Sequence, residues 1–214
     1  MQTVVLDLPK NSTLGEFQLM NGHYITFDEY LDLEIEGAHL EWIDGKVIGF
    51  MANNLQHQEI GSFLEMLMRL YAEVNNLGRI VRGGFAMKLE PQRRGREPDL
   101  IFVSKKRINL LKRKYLDGAA DIAVEIVSPE SIERDNEIKF GEYEKAGIKE
   151  YWLIDPQENR AEFYRLNAEG FYRLVETSDG IFRSDVLPGF FLRVEWLWRE
   201  NLPTIAALKE LNLI

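Results

Sequence analysis

Cysteine is absent from the 214 residues of this chain. The absence excludes disulfide bonds, zinc sites built on thiolates and a thiol nucleophile, so any chemistry must come from carboxylates, hydroxyls, imidazoles and amines. A chain without cysteine also suits a reducing compartment, and we expect a cytoplasmic protein.

Long apolar runs are missing too. Residues 1–10 have no basic segment followed by an apolar one, so we expect no secretory signal. The most apolar late stretch, residues 186–198, is interrupted by Arg193 and Glu195. We therefore expect no membrane span and no membrane partner.

The composition is otherwise ordinary for a globular protein, with 45% hydrophobic and 29% charged residues, so wholesale disorder is disfavoured. A chain of this length buries one sizeable core more readily than two. We predict one domain over residues 21–198, preceded by an irregular extension over residues 1–20 and completed by a helical tail of the same domain over residues 199–214.

Positive charge is scarce overall, since the formal net charge is −9. An acidic surface repels phosphate at long range and disfavours non-specific binding of polyanions. The exception lies between Lys88 and Lys114, where ten basic residues stand against three acidic ones and give a local charge of +7. This basic segment is either a solvated loop, the commoner outcome for a charge run, or a local positive approach for phosphate groups.

Two helices are predicted in the first half of the chain. Thr26 and Glu29 have the spacing of a capping box, which opens a short helix that ends near Gly37. Apolar residues at spacings of three and four predict a long helix over residues 54–76, with Gly78 as a left-handed stop.

Runs of strand-forming residues alternate with polar loops in the rest of the chain. Asp44-Gly45 is the favoured dipeptide of a two-residue hairpin turn. Strands are predicted over residues 79–90, 100–103, 122–127, 151–154, 161–166 and 171–175, and helices over residues 131–146, closed by Gly147, and 204–211. Strands interspersed with helices indicate a mixed sheet, so we predict an α/β (mixed α+β) domain.

Two acids in strand-like segments are candidates for a functional site. Asp99 lies at the start of an apolar strand. Glu125 lies inside another, where the period of two places it on one face with Ala123 and Val127. Burial of a carboxylate is costly unless a cation, a donor or protonation relieves it. A magnesium or manganese ion would relieve both acids; the alternative is an ion pair with a neighbouring Lys or Arg.

Lys139 is a third candidate because of its place on the following helix. A helical wheel puts it in one stripe with Ile132, Tyr143 and Ala146, which points towards the sheet. A lysine there needs an anionic partner, and Glu125 is the nearest candidate. Beside a metal, an ammonium group would orient or deprotonate an attacking water and stabilise charge on a phosphorane. The alternative is that Lys139 extends along the helix edge into solvent.

An ordered set of motifs runs through most of the chain. It consists of Glu41-Trp42-Ile43-Asp44-Gly45, Glu97-Pro98-Asp99, Val124-Glu125-Ile126-Val127-Ser128-Pro129, Asp135, Lys139, Tyr143 and Glu150-Tyr151-Trp152-Leu153-Ile154-Asp155-Pro156. The set resembles the PD-(D/E)XK nuclease superfamily, and more specifically the Uma-type family of restriction-endonuclease-like proteins, over roughly residues 26–194. The resemblance implies a restriction-endonuclease-like central mixed β-sheet flanked by helices.

The resemblance also implies roles for individual residues. Asp99 and Glu125 would be ligands of Mg²⁺ or Mn²⁺, with the main-chain carbonyl of Ile126 as a third ligand. The superfamily pattern usually has a lysine two residues after the glutamate, but this position holds Val127 here. We predict that Lys139, from the next helix, replaces it. DNA would be the partner, and relatives that cut two strands imply a homodimer.

Two further residues are open to two interpretations each. Glu41 matches a recurrent acid of the Uma-type pattern, so it either completes the catalytic site with Asp99, Glu125 and Lys139 or lies on the surface of the hairpin. His57 falls on the apolar face of its predicted helix. A lone histidine there is more often a core or capping group than a functional one, although histidine titrates usefully near neutral pH.

Three functions are therefore in competition. The first is a metal-dependent endonuclease that hydrolyses DNA phosphodiester bonds. The second is a protein that binds nucleic acid without cleaving it. Val127 favours this function because it stands where the superfamily pattern usually has lysine. The third is a structural or interaction domain in which Glu125 and Lys139 form a buried ion pair. A hydrolase that uses paired carboxylates on a sugar is a more distant alternative, since that chemistry depends on the separation of the carboxylates.

Overall fold

The computed structural model describes residues 16–18, 24–33, 38–51, 54–129 and 131–214. Each helix within these ranges is too short or too polar to span a lipid bilayer. The α-helices there are α1 (Phe27–Leu31), α2 (Leu55–Val74), α3 (Phe140–Ala146) and α4 (Thr204–Glu210). A π-helical segment, Arg134–Lys139, leads directly into α3, and 3₁₀ segments lie at Lys105–Leu110, Ser178–Gly180 and Val194–Trp198.

The central sheet has six strands and is mixed. In spatial order they are β12 (Tyr172–Leu174), β11 (Arg160–Leu166), β10 (Glu150–Asp155), β9 (Ile122–Ile126), β7 (Leu100–Ser104) and β4 (Gly78–Arg82). β9 and β10 are parallel, and the other neighbours are antiparallel. The mixed sheet and the helices on both of its faces confirm the predicted α/β class.

A second six-stranded sheet packs beside the central one. In spatial order its strands are β1 (Glu16–Gln18), β3 (Lys46–Met51), β2 (Ala38–Ile43), β6 (Arg94–Arg96), β5 (Ala86–Leu89) and β8 (Tyr115–Asp117). A separate hairpin joins β13 (Ile181–Arg183) to β14 (Phe191–Arg193). We predicted irregular structure for residues 1–20, but β1 is a strand because it pairs with β3. The other residues of that extension lie outside the described ranges.

Two apolar clusters cover the two faces of the central sheet. On one face, Leu64 of α2 and Leu208 of α4 pack in one cluster with Val124, so the predicted C-terminal helix belongs to the same core. On the other face, Val127 packs in a cluster with Tyr143 of α3. The alternation along β9 therefore follows the predicted period of two.

The first helix begins as predicted and ends earlier. In the capping box, Glu29 N–H donates to Thr26 Oγ1 at 3.2 Å, and Thr26 N–H donates to Glu29 Oε2 at 2.8 Å. α1 ends at Leu31 because the N–H groups of Asp32 and Leu33 turn to carbonyls three residues back. The predicted end near Gly37 falls outside the described residues.

The predicted role of Gly78 is wrong. α2 begins after Asn54, whose side chain accepts from the main chain of His57, and it ends at Val74. The left-handed residue after the helix is Asn76, with φ 53°, whereas Gly78 begins β4. A Cβ atom at Gly78 would collide with the main-chain oxygen of Val103, so this glycine serves the close approach of two strands.

The single strand predicted over residues 79–90 is two strands in different sheets. β4 ends at Arg82 and β5 begins at Ala86, with Gly83 and Gly84 between them. Gly84 has φ 81°, a conformation that L side chains rarely adopt, so the chain turns there and leaves the central sheet.

The helix predicted over residues 131–146 has two geometries. Residues 134–139 are π-helical, and α3 follows until Gly147 ends it with φ 80°, as predicted. A wheel with 100° per residue therefore fails at the start of the segment, because a π-helix turns less per residue. Ile132, which the wheel placed towards the sheet, is 48% exposed, while Lys139 and Tyr143 are buried.

Candidate functional site

A cavity of about 40 Å³ lies where β7 begins and β9 ends. It contains all four residues predicted for the catalytic site, and polar groups of both sheets, α2 and the π-helical segment surround it. The lining residues are His39, Glu41, His57, Glu97, Asp99, Glu125, Ile126, Ser128, Ser131, Arg134, Asp135 and Lys139.

Strand register brings the two predicted ligands together. β7 and β9 are antiparallel, with Leu100 opposite Val124. Continuing this register by one residue sets Asp99 opposite Glu125, so both side chains leave the same face of the sheet. The main-chain N–H of Ile126 donates to Asp99 Oδ2 at 2.7 Å and fixes the carboxylate against the end of β9.

A histidine fixes the same oxygen of Asp99. His57, in the first turn of α2, has its Nε2 atom 3.1 Å from Asp99 Oδ2. An ionised carboxylate only accepts, so Nε2 carries the hydrogen, while Nδ1 is buried and has no hydrogen-bond partner among the described residues. Burial would raise the pKa of Asp99, but the hydrogen bonds from His57 and Ile126 lower it below its ordinary value.

Glu125 is held through one oxygen by two donors. Tyr143 donates its hydroxyl hydrogen to Glu125 Oε1 at 2.6 Å, and Lys139 Nζ lies 3.0 Å from the same atom. Burial raises the pKa of Glu125 to about 8, and the attraction of Lys139 offsets only part of this rise. The carboxylates of Asp135 and Asp99 add to the rise, so the negative charge at Glu125 is under-compensated.

Among the described residues, each of the two acids leaves its other oxygen without a partner. In the part of the chain that the structure describes, no hydrogen bond or ion pair reaches Asp99 Oδ1 or Glu125 Oε2. Both residues line the same cavity. Two unpartnered carboxylate oxygens in a small polar cavity form a donor set for a hard cation.

Lys139 lies among three carboxylates. Its Nζ atom is 3.0 Å from Glu125 Oε1, 3.1 Å from Glu41 Oε1 and 3.4 Å from Asp135 Oδ1. Burial would lower the pKa of Lys139, but the surrounding carboxylates raise it above its ordinary value. Lys139 therefore stays an ammonium group, and it is unsuited to deprotonate a water, which was one of its two predicted roles. Its positive charge offsets the negative charge of the carboxylates around it.

The π-helical segment is what carries Lys139 into the cavity. Asp135 and Lys139 are both buried there, and Tyr151 donates its hydroxyl hydrogen to the main-chain oxygen of Asp135 at 2.9 Å. A side chain that extended along the helix edge into solvent would be exposed, so that interpretation of Lys139 is wrong. π-Helical turns are rare and occur frequently at functional sites.

Glu41 lies in the cavity and not on the surface of the hairpin. Its side chain is 2% exposed, and Arg96 donates to Glu41 Oε2 at 2.6 Å while Lys139 approaches Oε1. Burial would raise the pKa of Glu41, but Lys139 and Arg96 lower it to about 2. Arg96 is itself held by Glu142 of α3, so Glu41 is a fixed counter-ion of Lys139.

Comparisons with known proteins identify a family and a similar structure. Residues 27–195 match the model of the Uma2 family, which is described as "Putative restriction endonuclease". The chain belongs to this family. It is also similar to the crystal structure of a protein from Anabaena variabilis ATCC 29413, described as a "putative nuclease belonging to DUF820", with 22% identity and a TM-score of 0.68 over 81% of this chain and 97% of that one. No curated protein matches the chain.

The Uma2 match and the structural likeness confirm the predicted family and the restriction-endonuclease-like fold. Val127, where the superfamily pattern usually has lysine, is 4% exposed and packs in the apolar cluster with Ala123 and Tyr143. The cation beside Glu125 comes instead from Lys139 in the following helical segment.

The cavity suits a divalent ion that keeps part of its water shell. Among the described residues, no group of three histidines and acids is arranged to hold a metal by itself. Magnesium binds in proteins through one or two carboxylates, with water and substrate phosphate completing the shell. Asp99 and Glu125, with the main chain of Ile126 beside them in the cavity lining, fit this kind of site.

The basic segment does not surround Asp99. Lys105–Leu110 follows the far end of β7, so Lys105, Lys106 and Arg107 are separated from Asp99 by the length of that strand. Near the cavity, Arg94 and Arg96 are engaged by Glu142. One part of the basic segment therefore forms structural ion pairs, and another part lies on a surface remote from the cavity.

Sequence reasoning missed part of the site. His57 was given more weight as a core or capping group, and the contact with Asp99 joins the start of α2 to the start of β7 across the fold. His39 and Glu97 also line the cavity, and neither was proposed as a site residue. The position of Glu97 in the Glu97-Pro98-Asp99 motif was the one available signal for it.

Proposed function

We propose that this protein is a magnesium- or manganese-dependent endonuclease that hydrolyses phosphodiester bonds of DNA. One observation carries the proposal: Asp99 and Glu125 face a common cavity, each with one oxygen that has no partner among the described residues, beside the buried ammonium group of Lys139. The description of the Uma2 family as restriction endonucleases supports a nucleic acid as the substrate.

Asp99 and Glu125 would hold the ion together with the main-chain carbonyl of Ile126. When bound, the ion would supply Lewis-acid polarisation of the scissile phosphate and activation of the attacking water. His57 and Tyr143 each hold one oxygen of a ligand carboxylate, which orients the other oxygen for the metal.

Lys139 would contribute electrostatics without proton transfer. Its charge offsets part of the negative charge of the carboxylates, which would otherwise repel a phosphate diester. Glu41, itself fixed by Arg96, holds the ammonium in place from the second sheet. Preorganised charge of this kind needs no rearrangement when charge develops on the phosphate in the transition state.

The proposal is tested by incubating supercoiled plasmid with the purified protein and MgCl₂ or MnCl₂. We expect metal-dependent nicking that is abolished in Asp99→Asn and in Glu125→Gln. Asp121→Asn is the matched control, because Asp121 is a buried acid at the opposite end of β9, where it pairs with Lys149. Intact plasmid in all conditions, or equal nicking by Asp99→Asn and the wild type, would contradict the proposal.

The second candidate is a nucleic-acid-binding protein without turnover. It is favoured by the apolar surroundings of Val127 and by the three carboxylates that hold Lys139 away from proton transfer. This candidate predicts salt-sensitive retardation of DNA in a gel with no cleavage in either metal. Cleavage that depends on Asp99 would exclude it.

A further inference from the structure

A second cavity, of about 60 Å³, adjoins the first. The two cavities share His39, His57 and Asp99 in their linings, so the second begins where the proposed metal cavity ends. Its remaining wall includes Arg82 and Gly83, from the end of β4 beside Asp99. No metal ligand proposed above other than Asp99 lines this second cavity.

The end of β4 is fixed against Asp99 by main-chain geometry. Arg82 pairs with Leu100 in the register of β4 and β7, and the N–H of Gly83 donates to the main-chain oxygen of Asp99 at 2.8 Å. The guanidinium therefore lies one strand away from the proposed metal ligand, at the same end of the sheet. It does not depend on a long loop for its position.

The guanidinium of Arg82 is held in one orientation by α2. Its Nη2 atom donates to Gln58 Oε1 at 2.6 Å, and its Nη1 atom donates to Ser62 Oγ at 3.0 Å. Both partners are neutral and come from successive turns of one helix face. The side chain is therefore preorganised, and its positive charge is not cancelled by these two contacts.

The acidic partner of Arg82 is shared. Glu65 Oε2 lies 3.5 Å from Arg82, while the other oxygen of Glu65 is 2.6 Å from Arg69. One carboxylate thus serves two guanidinium groups and leaves this set of three residues with one excess positive charge. Arg82 has five N–H groups, and the one on Nε donates to no described residue.

We propose that Arg82 and the second cavity bind a phosphate group that neighbours the scissile phosphate on the same nucleic-acid strand. This inference rests on the proposed function, which places the scissile phosphate at Asp99 and Glu125. Arginine suits the task because its free edge matches the oxygens of a phosphate. Gly83 and Gly84 carry no side chains, and a Cβ at Gly84 would meet no atom of the described residues within 4 Å, so these residues leave the rim open to a strand.

The proposal specifies the substrate class. A strand with phosphates on both sides of a nucleoside would occupy both cavities, whereas a diester with one phosphate would occupy only the first. The protein therefore recognises a polynucleotide through its charged backbone, without base readout at this position.

The test is a coupling experiment with short single-stranded DNA in the absence of divalent metal, so that no cleavage occurs. Each phosphate in turn is replaced by a neutral methylphosphonate, and binding is measured by fluorescence anisotropy for the wild type and for Arg82→Gln. We expect that neutralising one phosphate weakens wild-type binding about tenfold. Arg82→Gln should weaken binding of unmodified DNA by a similar factor. In this variant, replacing the same phosphate by a methylphosphonate should cause no further loss of affinity.

Two more variants and a salt series sharpen the test. Arg69→Gln is the matched control, because Arg69 shares Glu65 but does not line the cavity, and we expect no coupling to any phosphate. Arg82→Lys should recover part of the affinity, since it keeps the charge without the planar edge. In Arg82→Gln, the slope of log affinity against log salt should fall by about 0.7, the value for one phosphate of a single strand.

Additive losses at every phosphate position, or equal affinities of Arg82→Gln and Arg69→Gln, would overturn the proposal. A calorimetric titration with MnCl₂ and a thermal melt show that each variant is folded with its metal cavity intact. Coupling at one phosphate without plasmid nicking would support this subsite and contradict the nuclease activity. Nicking without coupling would support the nuclease activity and contradict this subsite. Absence of DNA binding by the wild type would contradict both proposals.

Discussion

Lys139 joins the two sheets, since its Nζ atom lies 3.0 Å from Glu125 Oε1 in β9 and 3.1 Å from Glu41 Oε1 in β2. All three side chains are almost completely buried. Buried ions are costly unless each has its partners, so this cluster holds the central sheet and the second sheet in one relative position. The geometry of the proposed metal cavity depends on that position, because both sheets line it.

Removing the shared ammonium should cost considerable stability. In Lys139→Met, Glu41 and Asp135 lose their shared counter-ion and Glu125 loses a donor at Oε1, and we expect the free energy of unfolding to fall by about 3 kcal/mol. Urea denaturation at neutral pH measures this change. Lys145→Met is the control, because Lys145 is exposed on α3, and it should change stability by less than about 0.5 kcal/mol. Equal stabilities of the two variants would show that the ion cluster does not hold the sheets together.

The contribution of Glu41 to stability should disappear in acid. Its pKa is lowered from 4.5 to about 2 in the folded protein, so its ionised form stabilises the fold above the unfolded pKa. That contribution, about 3 kcal/mol, is lost as the pH falls from about 4.5 to about 2. We expect Glu41→Gln to be less stable than the wild type near pH 7 and the difference to shrink over this range in urea titrations. A difference that is independent of pH would contradict the ion pairing.

Metal binding should release a proton. Burial raises the pKa of Glu125 to about 8, so near neutral pH a cation must displace a hydrogen ion from the cavity. We expect the apparent affinity for Mn²⁺ to rise with pH and to level off above about 8. Calorimetric titrations in two buffers with different ionisation enthalpies count the protons. Identical heats in both buffers, with an affinity that does not depend on pH, would show that Glu125 is already ionised without the metal.

The hydroxyl of Tyr143 should matter for the metal and not for the fold. Tyr143→Phe removes the donor that holds Glu125 Oε1 and leaves the packing of the ring unchanged. Outer partners of metal ligands typically contribute tenfold or more, so we expect affinity for Mn²⁺ to fall about tenfold. Tyr164→Phe is the control, because Tyr164 packs against Phe140 in the same aromatic cluster without touching Glu125. Equal affinities of the two variants would assign Tyr143 a packing role alone.

Part of the site could be predicted from sequence because it follows from short-range rules. The period of two in β9 placed Glu125 on the correct face, and the strand pattern placed Asp99 at the start of β7. The fold class followed from the order of strands and helices and from the motif resemblance. These inferences need only local patterns and the ordering of elements along the chain.

The rest depends on contacts that no local pattern contains. Ile132 was misplaced because the wheel assumed α-helical rotation in a segment that is π-helical. The burial of Glu41 needs Arg96 from another strand, and the role of His57 needs the start of α2 to meet the start of β7. Such pairings are decided by the assembly of the sheets, so the sequence left both residues open to two interpretations.

The most direct test of the proposed metal site is a crystal structure of the protein with bound Mn²⁺, analysed by anomalous scattering at the manganese edge. We expect an anomalous peak in the cavity, within about 2.2 Å of Asp99 Oδ1 and Glu125 Oε2 and with Lys139 still at Glu125 Oε1. No peak at millimolar manganese, or a peak that contacts neither Asp99 nor Glu125, would contradict the central claim that these two acids form a metal site.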